Sequence, residues 1–433
     1  MSNFYTTYSN TNQNHPLQQN SQDYFPYKKY VSIHSEDRDI LAYPNSSEFE
    51  IELPEDITNI STMKLIDWAL PSNYNTFSYL NKNITMYFKI TNPYNPALYN
   101  NEPYNPSLYP SLNDLAIAIY NALNTYNNTS LYPDIKDSKG LYKIVIEEGF
   151  YNPTQLATEL TNKFNEAVTR EITNYLVENN LTNELAQFKT SGYAHFVIVY
   201  NNVSQKIWFG NEIDGFELLN ELIFLSYVYD ENFICKKHQL PDFSNWGLPS
   251  NVGLTRANEK SMEPIDPKYN YVRFYYGDVF SSDNGYWLTP ATDPSGNPIP
   301  GAIVHFIECP NKINIFGPSH IYLEIYKYNS IDETVPYNIS GFTLTTNETN
   351  GIVNSAFAKI PIVSTPITQY YDGPANAYKF FNPPVERIRR LRFKFRYHNG
   401  VLVDFGTFSF TFTIEFSTLL PMINRSVRMV SNI

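Results

Sequence analysis

Two stretches near the C-terminal end constrain the fold more than any other part of the chain. Leu391-Arg392-Phe393-Lys394-Phe395-Arg396-Tyr397 and Phe408-Ser409-Phe410-Thr411-Phe412-Thr413-Ile414-Glu415-Phe416 each alternate apolar and polar residues without a slip. Successive side chains of an extended strand point to opposite faces, so each stretch carries one aromatic face and one polar face. His398-Asn399-Gly400 lies between them, and Asn-Gly tolerates the positive φ of a tight turn. The pattern predicts a closing antiparallel hairpin whose greasy face must pack on another sheet.

The rest of the 433 residues fits that start. Aromatic residues make up 16% of the chain, with 36 Tyr and 29 Phe, which suits strands and interfaces better than helix bundles. Hydrophobic content of 42% excludes wholesale disorder. The formal charge of −12 argues against a nucleic-acid coat. Cys235 and Cys309 are too few for a disulfide scaffold and point to a reducing compartment. The N-terminus has no basic-then-apolar leader pattern, and no apolar run of about 18 residues is present to span a bilayer.

Along the chain, residues 1–27 form an extended polar arm, 28–420 a β body and 421–433 a tail. Strands are expected at 30–34, at 48–53 stopped by Pro54, at 63–70 stopped by Pro71, and at 84–90. An insertion over about 91–190 opens with a repeat, Pro93-Tyr94-Asn95-Pro96-Ala97-Leu98-Tyr99 and Pro103-Tyr104-Asn105-Pro106-Ser107-Leu108-Tyr109, whose prolines demand a surface loop. Two helices follow, from Ser111 and from Asn152-Pro153. They look duplicated, because Leu115-Ala116, Ile119 and Leu123 match Leu156-Ala157, Leu160 and Phe164. A strand is expected over 141–147 and a weaker helix over about 171–188. His195–Tyr200 and Lys206–Phe209 read as a hairpin, and Leu222–Tyr229 and Tyr271–Phe280 as strands. Residues 235–300 form a second, proline-rich insertion. About fifteen strands with a few helices make a sandwich by the layer rules.

Motifs of catalysis are sparse. The chain lacks a phosphate-binding glycine loop and a Gly-x-Ser-x-Gly elbow. Cys235-Lys236-Lys237-His238 lacks the second ligand pair that zinc needs, and Asp293-Pro294-Ser295-Gly296-Asn297 has Val304 where a calcium loop needs glutamate. Ser35-Glu36-Asp37-Arg38-Asp39 reads as a solvated turn rather than a carboxylate pair for sugar hydrolysis. His195 and His305 sit in apolar runs with no nucleophile in view. No catalytic, metal or cofactor residue is therefore assigned.

The sharpest electrostatic feature is the polar face of the closing strands. Arg390, Arg392, Lys394 and Arg396 share it, with Arg387 and Arg389 just before them. It is either an edge kept soluble by charge or a docking face for an acidic neighbour, with nucleic-acid backbone a weaker third reading. These six, with Tyr94, Tyr99, Tyr104 and Tyr109 of the repeat, are the candidate interface residues.

The ordered set of segments resembles the jelly-roll minor capsid and virion proteins of nucleocytoplasmic large DNA viruses. The matching pieces are Val31–Asp39 with Tyr43-Pro44-Asn45, Phe49–Pro54, Met63–Pro71, Glu148-Gly149-Phe150-Tyr151, Ala358–Pro361 and Leu391–Phe416 with Val403-Asp404-Phe405. The doubled helix and the Tyr-Asn-Pro repeat depart from that pattern. The resemblance implies an all-β antiparallel jelly-roll sandwich with helical and long loop insertions, or alternatively two jelly rolls. It also implies a non-enzymatic role in the virion shell, assembled in the host cytoplasm and cementing neighbouring capsomers. The implied partners are the major capsid protein and other minor capsid proteins, with no small-molecule substrate and a place possible near an inner viral membrane. The rival reading is a carbohydrate-binding or host-attachment sandwich that stacks sugars on Trp208, Trp246 and Trp287.

Overall fold

The computed structural model describes residues 24–72, 75–96, 110–129, 140–229, 246–265, 272–275, 285–293, 296–334, 353–362, 368–371, 377–398 and 400–421. In chain order the strands begin with β1 (Tyr24–His34), β2 (Glu48–Ser72), β3 (Thr85–Asn92), β4 (Tyr142–Val145), β5 (Phe196–Asn201) and β6 (Lys206–Asn211). They continue with β7 (Gly215–Leu218), β8 (Glu259–Lys260), β9 (Val272–Tyr275), β10 (Tyr286–Leu288), β11 (His305–Glu308) and β12 (His320–Ile325). The last are β13 (Ile331–Thr334), β14 (Val353–Ala356), β15 (Ala358–Pro361), β16 (Thr368–Tyr371), β17 (Tyr378–Arg396) and β18 (Thr411–Pro421). The described helices are α1 (Pro110–Asn128), α2 (Pro153–Glu178), α3 (Thr182–Ser191), α4 (Asn220–Tyr229) and α5 (Leu248–Val252).

Every described strand pair is antiparallel, in keeping with the expected all-β, jelly-roll-like class. The largest sheet has seven strands in the order β1-β18-β2-β17-β12-β15, with β16 also on β2, so it joins the two remote ends of the chain. Its core takes the aromatic faces read from the sequence. Phe393, Phe395, Phe410 and Phe412 are buried with Phe49, Trp68 and Phe405, and the Phe393–Phe412 and Phe395–Phe410 rings meet nearly edge-on at 5.0 and 5.1 Å. Removing such a side chain from water is worth roughly 1.5–3 kcal/mol.

The expected closing hairpin is not formed. β2 lies between β17 and β18, with Phe393 opposite Phe49 and Phe412 opposite Trp68. A turn does occur: Gly400 adopts φ +83°, its N–H donates to the Tyr397 carbonyl, and Val403 N–H reaches the Phe395 carbonyl. The chain then crosses to the far edge of β2. Alternation reports which face is buried but not which strand lies alongside. β2 buries Phe49, Leu53, Ile57, Ile60, Met63, Leu65, Trp68 and Leu70, which gives both aromatic strands an apolar neighbour.

Three other expectations change. Pro54 does not end a strand, because β2 runs through it; β18 pairs only with residues 60–69 of β2, and the β17 register skips from Glu52 to Ile57, so no ladder bond is demanded of Pro54. Leu222–Tyr229 belongs to helix α4 rather than a strand. A short run that is apolar except for Ser226 carries no usable period, and the Asn258 Oδ1 that accepts the Glu221 N–H at 3.0 Å favours the helical start. The helix expected over 171–188 is two helices, α2 and α3, separated at Asn180 with φ +56°.

Helix α2 starts where the sequence places it. The Asn152 side chain accepts the Gln155 N–H at 2.8 Å and the Gln155 side chain accepts the Asn152 N–H at 3.1 Å, a reciprocal cap ahead of Pro153. Its inner face buries Leu156, Leu160, Phe164, Val168, Ile172 and Leu176 in a second core. That core holds the sheet β4-β3-β7-β8 and the sheet β11-β6-β5, and Phe88 stacks there on Phe164 and Tyr142 at 4.3 and 4.8 Å. The polar edge of α2 does a strand's work on β5. Asn165 bonds both the N–H and the carbonyl of Phe196 at 2.9 Å, and Thr161 Oγ1 does the same for Ile198 at 2.9 and 3.2 Å. One turn further, Thr169 Oγ1 accepts the Tyr193 N–H at 2.9 Å. Helical spacing of i, i+4 and i+8 thus satisfies an edge that would otherwise be open.

Candidate interface on the seven-stranded sheet

The candidate cations lie on β17 against β2, whose segment Glu48-Phe49-Glu50-Ile51-Glu52 alternates carboxylates with apolar residues. Antiparallel register sets Arg390 opposite Glu52, Arg392 opposite Glu50 and Lys394 opposite Glu48. The contacts that form are Arg387–Asp56 at 3.0 Å, Arg389–Glu52 at 2.6 Å, Arg390–Glu52 at 3.4 Å, Arg390–Glu50 at 3.7 Å and Arg392–Glu48 at 2.5 Å. A register shift between Ile388 and Arg390 explains why two arginines reach one carboxylate. Hydrogen bonds from Arg389 hold the Glu52 carboxyl below its ordinary range, and the same bonds raise Arg389. Glu48 likewise raises Arg392. These rungs are about half exposed, so solvent screening leaves each with little net stabilisation.

Arg396 shares this face but is covered. Its Nη1 donates to Glu333 at 2.8 Å, its Nε to Glu324, and its guanidinium lies 5.1 Å from the Tyr322 ring centroid. Glu333 belongs to the β13–β14 hairpin and also meets the His398 ring. Burial opposes the charge on Arg396, but the hydrogen bonds to Glu324 and Glu333 outweigh it and leave the guanidinium raised. Burial, then the nearby Glu333, pushes Tyr322 up to about 12. Apart from Lys394, which has no carboxylate within ion-pair distance among the described residues, the basic strip is therefore matched by carboxylates of β2 and β12–β13. The signal is present in the sequence, since the acidic alternation of 48–52 complements the basic alternation of 390–396. Beside the ladder, Glu48, Glu324, Tyr326, Lys327, Arg392 and Lys394 line a groove of about 490 Å³.

Of the repeat tyrosines, Tyr94 is described and is an anchor: its N–H donates to Asp214 at 2.6 Å and its hydroxyl to the Pro300 carbonyl at 2.7 Å. Tyr99, Tyr104 and Tyr109 lie outside the described residues, as does Cys235-Lys236-Lys237-His238. Cys309 is buried, and burial pushes its thiol well up. Asp293 closes a turn, accepting the Asn297 N–H at 2.8 Å. Among the described residues no three His, Cys, Asp or Glu side chains gather as a metal set.

The histidines have structural surroundings. His195 lies 3.5 Å from Glu212, and burial pushes buried His305 down. Nearby, the Tyr193 hydroxyl donates to Asp214 at 2.6 Å and accepts from Asn211 at 2.8 Å, a closed buried network. The three tryptophans do not form one platform. Trp208 is flanked by Phe274 and Phe306 at 5.5 and 6.3 Å, Trp246 is buried against Phe224, and Trp287 is exposed beside Arg273.

No protein-family model matches the chain, and no curated protein does. Among the solved structures that match, two align along most of it. The crystal structure of the mavirus penton protein shares 8% identity at a TM-score of 0.35, covering 90% of this chain and 99% of that one. The Sputnik virophage structure, from cryo-EM at 3.5 Å, shares 12% identity at a TM-score of 0.36, covering 90% and 98%. The likeness is long in extent and weak in detail.

Proposed function

We propose that the chain is a structural, non-enzymatic component of a virus shell: a minor capsid protein that cements neighbouring capsomers of a large icosahedral DNA virus. The observation that carries this reading is convergence. Of the segments resembling minor capsid proteins, those at 31–39, 49–54, 63–71, 358–361 and 391–416 are spread over hundreds of residues and fall on the seven-stranded sheet or its end loops, while Glu148–Tyr151 lies ahead of α2 beside the inserted core. An ordered set of weak motifs of which all but one meet in one framework is a stronger sign than any one of them. The contact face we assign is the outer surface of that sheet. Its half-exposed rungs, Arg387 to Arg392, can exchange an internal carboxylate for a neighbour's at little cost. The partners on this reading are the major capsid protein and other minor capsid proteins, and the site is the virion shell.

The test is to find the chain in purified particles by mass spectrometry and place it in a density map of the whole virion. A position between capsomers, shielded from added protease, supports the reading. Absence from the particle, or glycan binding by the isolated chain that depends on Trp287, sinks it.

A further inference from the structure

Residues 35–45, which join β1 to β2, form a loop clamped by a single side chain. Arg38 donates from Nε to the Tyr43 carbonyl at 3.0 Å, from Nη1 to the Ser35 carbonyl at 2.6 Å and from Nη2 to the Pro44 carbonyl at 3.3 Å. Asp39 Oδ1 accepts the N–H groups of Leu41 and Ala42 at 3.0 and 3.1 Å, and the Asp39 carbonyl accepts the Tyr43 N–H at 2.8 Å. Buried Ser35 fixes the base, exchanging hydrogen bonds of 2.9 Å with Phe410. The guanidinium is committed to carbonyls, so Glu36, Asp37 and Asp39 leave the loop acidic. At its tip Leu41 is 96% exposed and Ile40 58%. A slack loop would fold such residues back; this one holds two aliphatic side chains in water, preorganised for docking.

We propose that this tip seats in the groove of a second copy of the chain. Both groove carboxylates are engaged, Glu48 with Arg392 and Glu324 with Arg396. Among the described residues neither Lys327 nor Lys394 has a carboxylate within ion-pair distance, and Lys327 lies 5.4 Å from the centroid of the exposed Tyr326 ring. The groove is therefore a cationic cleft with an aromatic wall and alkyl stems, complementary to an aliphatic tip in a collar of carboxylates. Loop and groove also share one end of the sheet. The loop runs into Glu48, which itself lines the groove and sits opposite Lys394. A two-fold axis between copies lets each loop enter the other's groove, an isologous contact. The acidic collar disfavours the alternative occupant, an anionic lipid surface. The inference does not depend on the shell reading: a chain found in no shell could still pair this way, and a shell protein could stay monomeric in solution.

Sedimentation equilibrium of the full chain tests it, with Leu41→Asp and Lys394→Glu as variants and near-ultraviolet circular dichroism to confirm that each stays folded. The wild type is expected to dimerise, and each variant to dimerise at least tenfold more weakly. Mixed in equal amounts, the two variants keep one intact contact, so the mixture associates more tightly than either alone. A wild type that stays monomeric overturns the proposal, as does a Leu41→Asp variant that pairs normally or a mixture no tighter than its components. Binding of monomeric wild type to phosphatidylserine vesicles that is lost with Leu41→Asp overturns it in favour of a membrane.

Discussion

The two cores of this molecule treat their sheet edges in opposite ways. In the inserted core, edge strand β5 is closed by side chains of α2, with Thr161 and Asn165 filling the backbone positions that a strand would take. In the seven-stranded sheet, β1 has β18 on one side and no strand on the other among the described residues. β1 carries Pro26, Lys28 and Lys29, residues that discourage indiscriminate pairing, and leaves Tyr24, Phe25, Tyr27 and Tyr30 about half exposed. Contact with other molecules is therefore expected on one core and not on the other. In the inserted core the β5 edge is closed by the molecule's own helix, whereas the framework made from the chain's two ends keeps its β1 edge, its charged face and its clamped loop available.

If the cores are as distinct as their edges, they should melt apart. Phe88→Ala in the inserted core and Phe393→Ala in the framework should each cost about 3–5 kcal/mol. Differential scanning calorimetry should show each variant lowering a different part of the endotherm; one shared transition shifted equally by both would mean the cores are a single cooperative unit. The edge seal is tested next. Asn165→Ala strips partners from both backbone groups of Phe196 and should cost about 1–3 kcal/mol by urea unfolding, against almost nothing for Asn128→Ala on exposed α1 surface.

The ladder should matter less. Arg392→Ala removes a half-exposed rung and should lower stability by under about 1 kcal/mol, with the loss shrinking further in high salt. A larger loss would mean the strip is structural mortar rather than an available face. The smallest effect is a pH slope from His305. Burial lowers its folded pKa below the unfolded value, so above the ordinary imidazole range the group is neutral in both states and costs nothing. As pH falls through that range toward the folded value, the unfolded chain takes up the proton first and stability declines. His305→Gln should flatten this slope in unfolding curves between about pH 7 and 5.

Much of this is legible in the residues. Phe393, Phe395, Phe410 and Phe412 are buried as their alternation requires, and Asn152-Pro153 begins a helix because a reciprocal cap is a local device. Reading fails where the signal is not local. The Asn-Gly turn suggests that the strands on either side of it pair together, and the Leu222–Tyr229 run, apolar except for Ser226, carries no period to separate helix from strand. The candidate face is found from its cations, while the carboxylates that meet Arg389 and Arg392 escape notice because they lie more than three hundred residues away in sequence.

Which side chains face inward is written into the residue order, because strand periodicity is a property of a few consecutive residues. Which strands adjoin is settled only in three dimensions. β2 separates β17 from β18, and Glu48 and Glu52 answer Arg392 and Arg389, because pairing is chosen by the burial of whole faces rather than by nearness along the chain. The same reason hides the clamp at Arg38: nothing in an acidic run announces that its one cation will turn inward to three carbonyls and leave Leu41 in water.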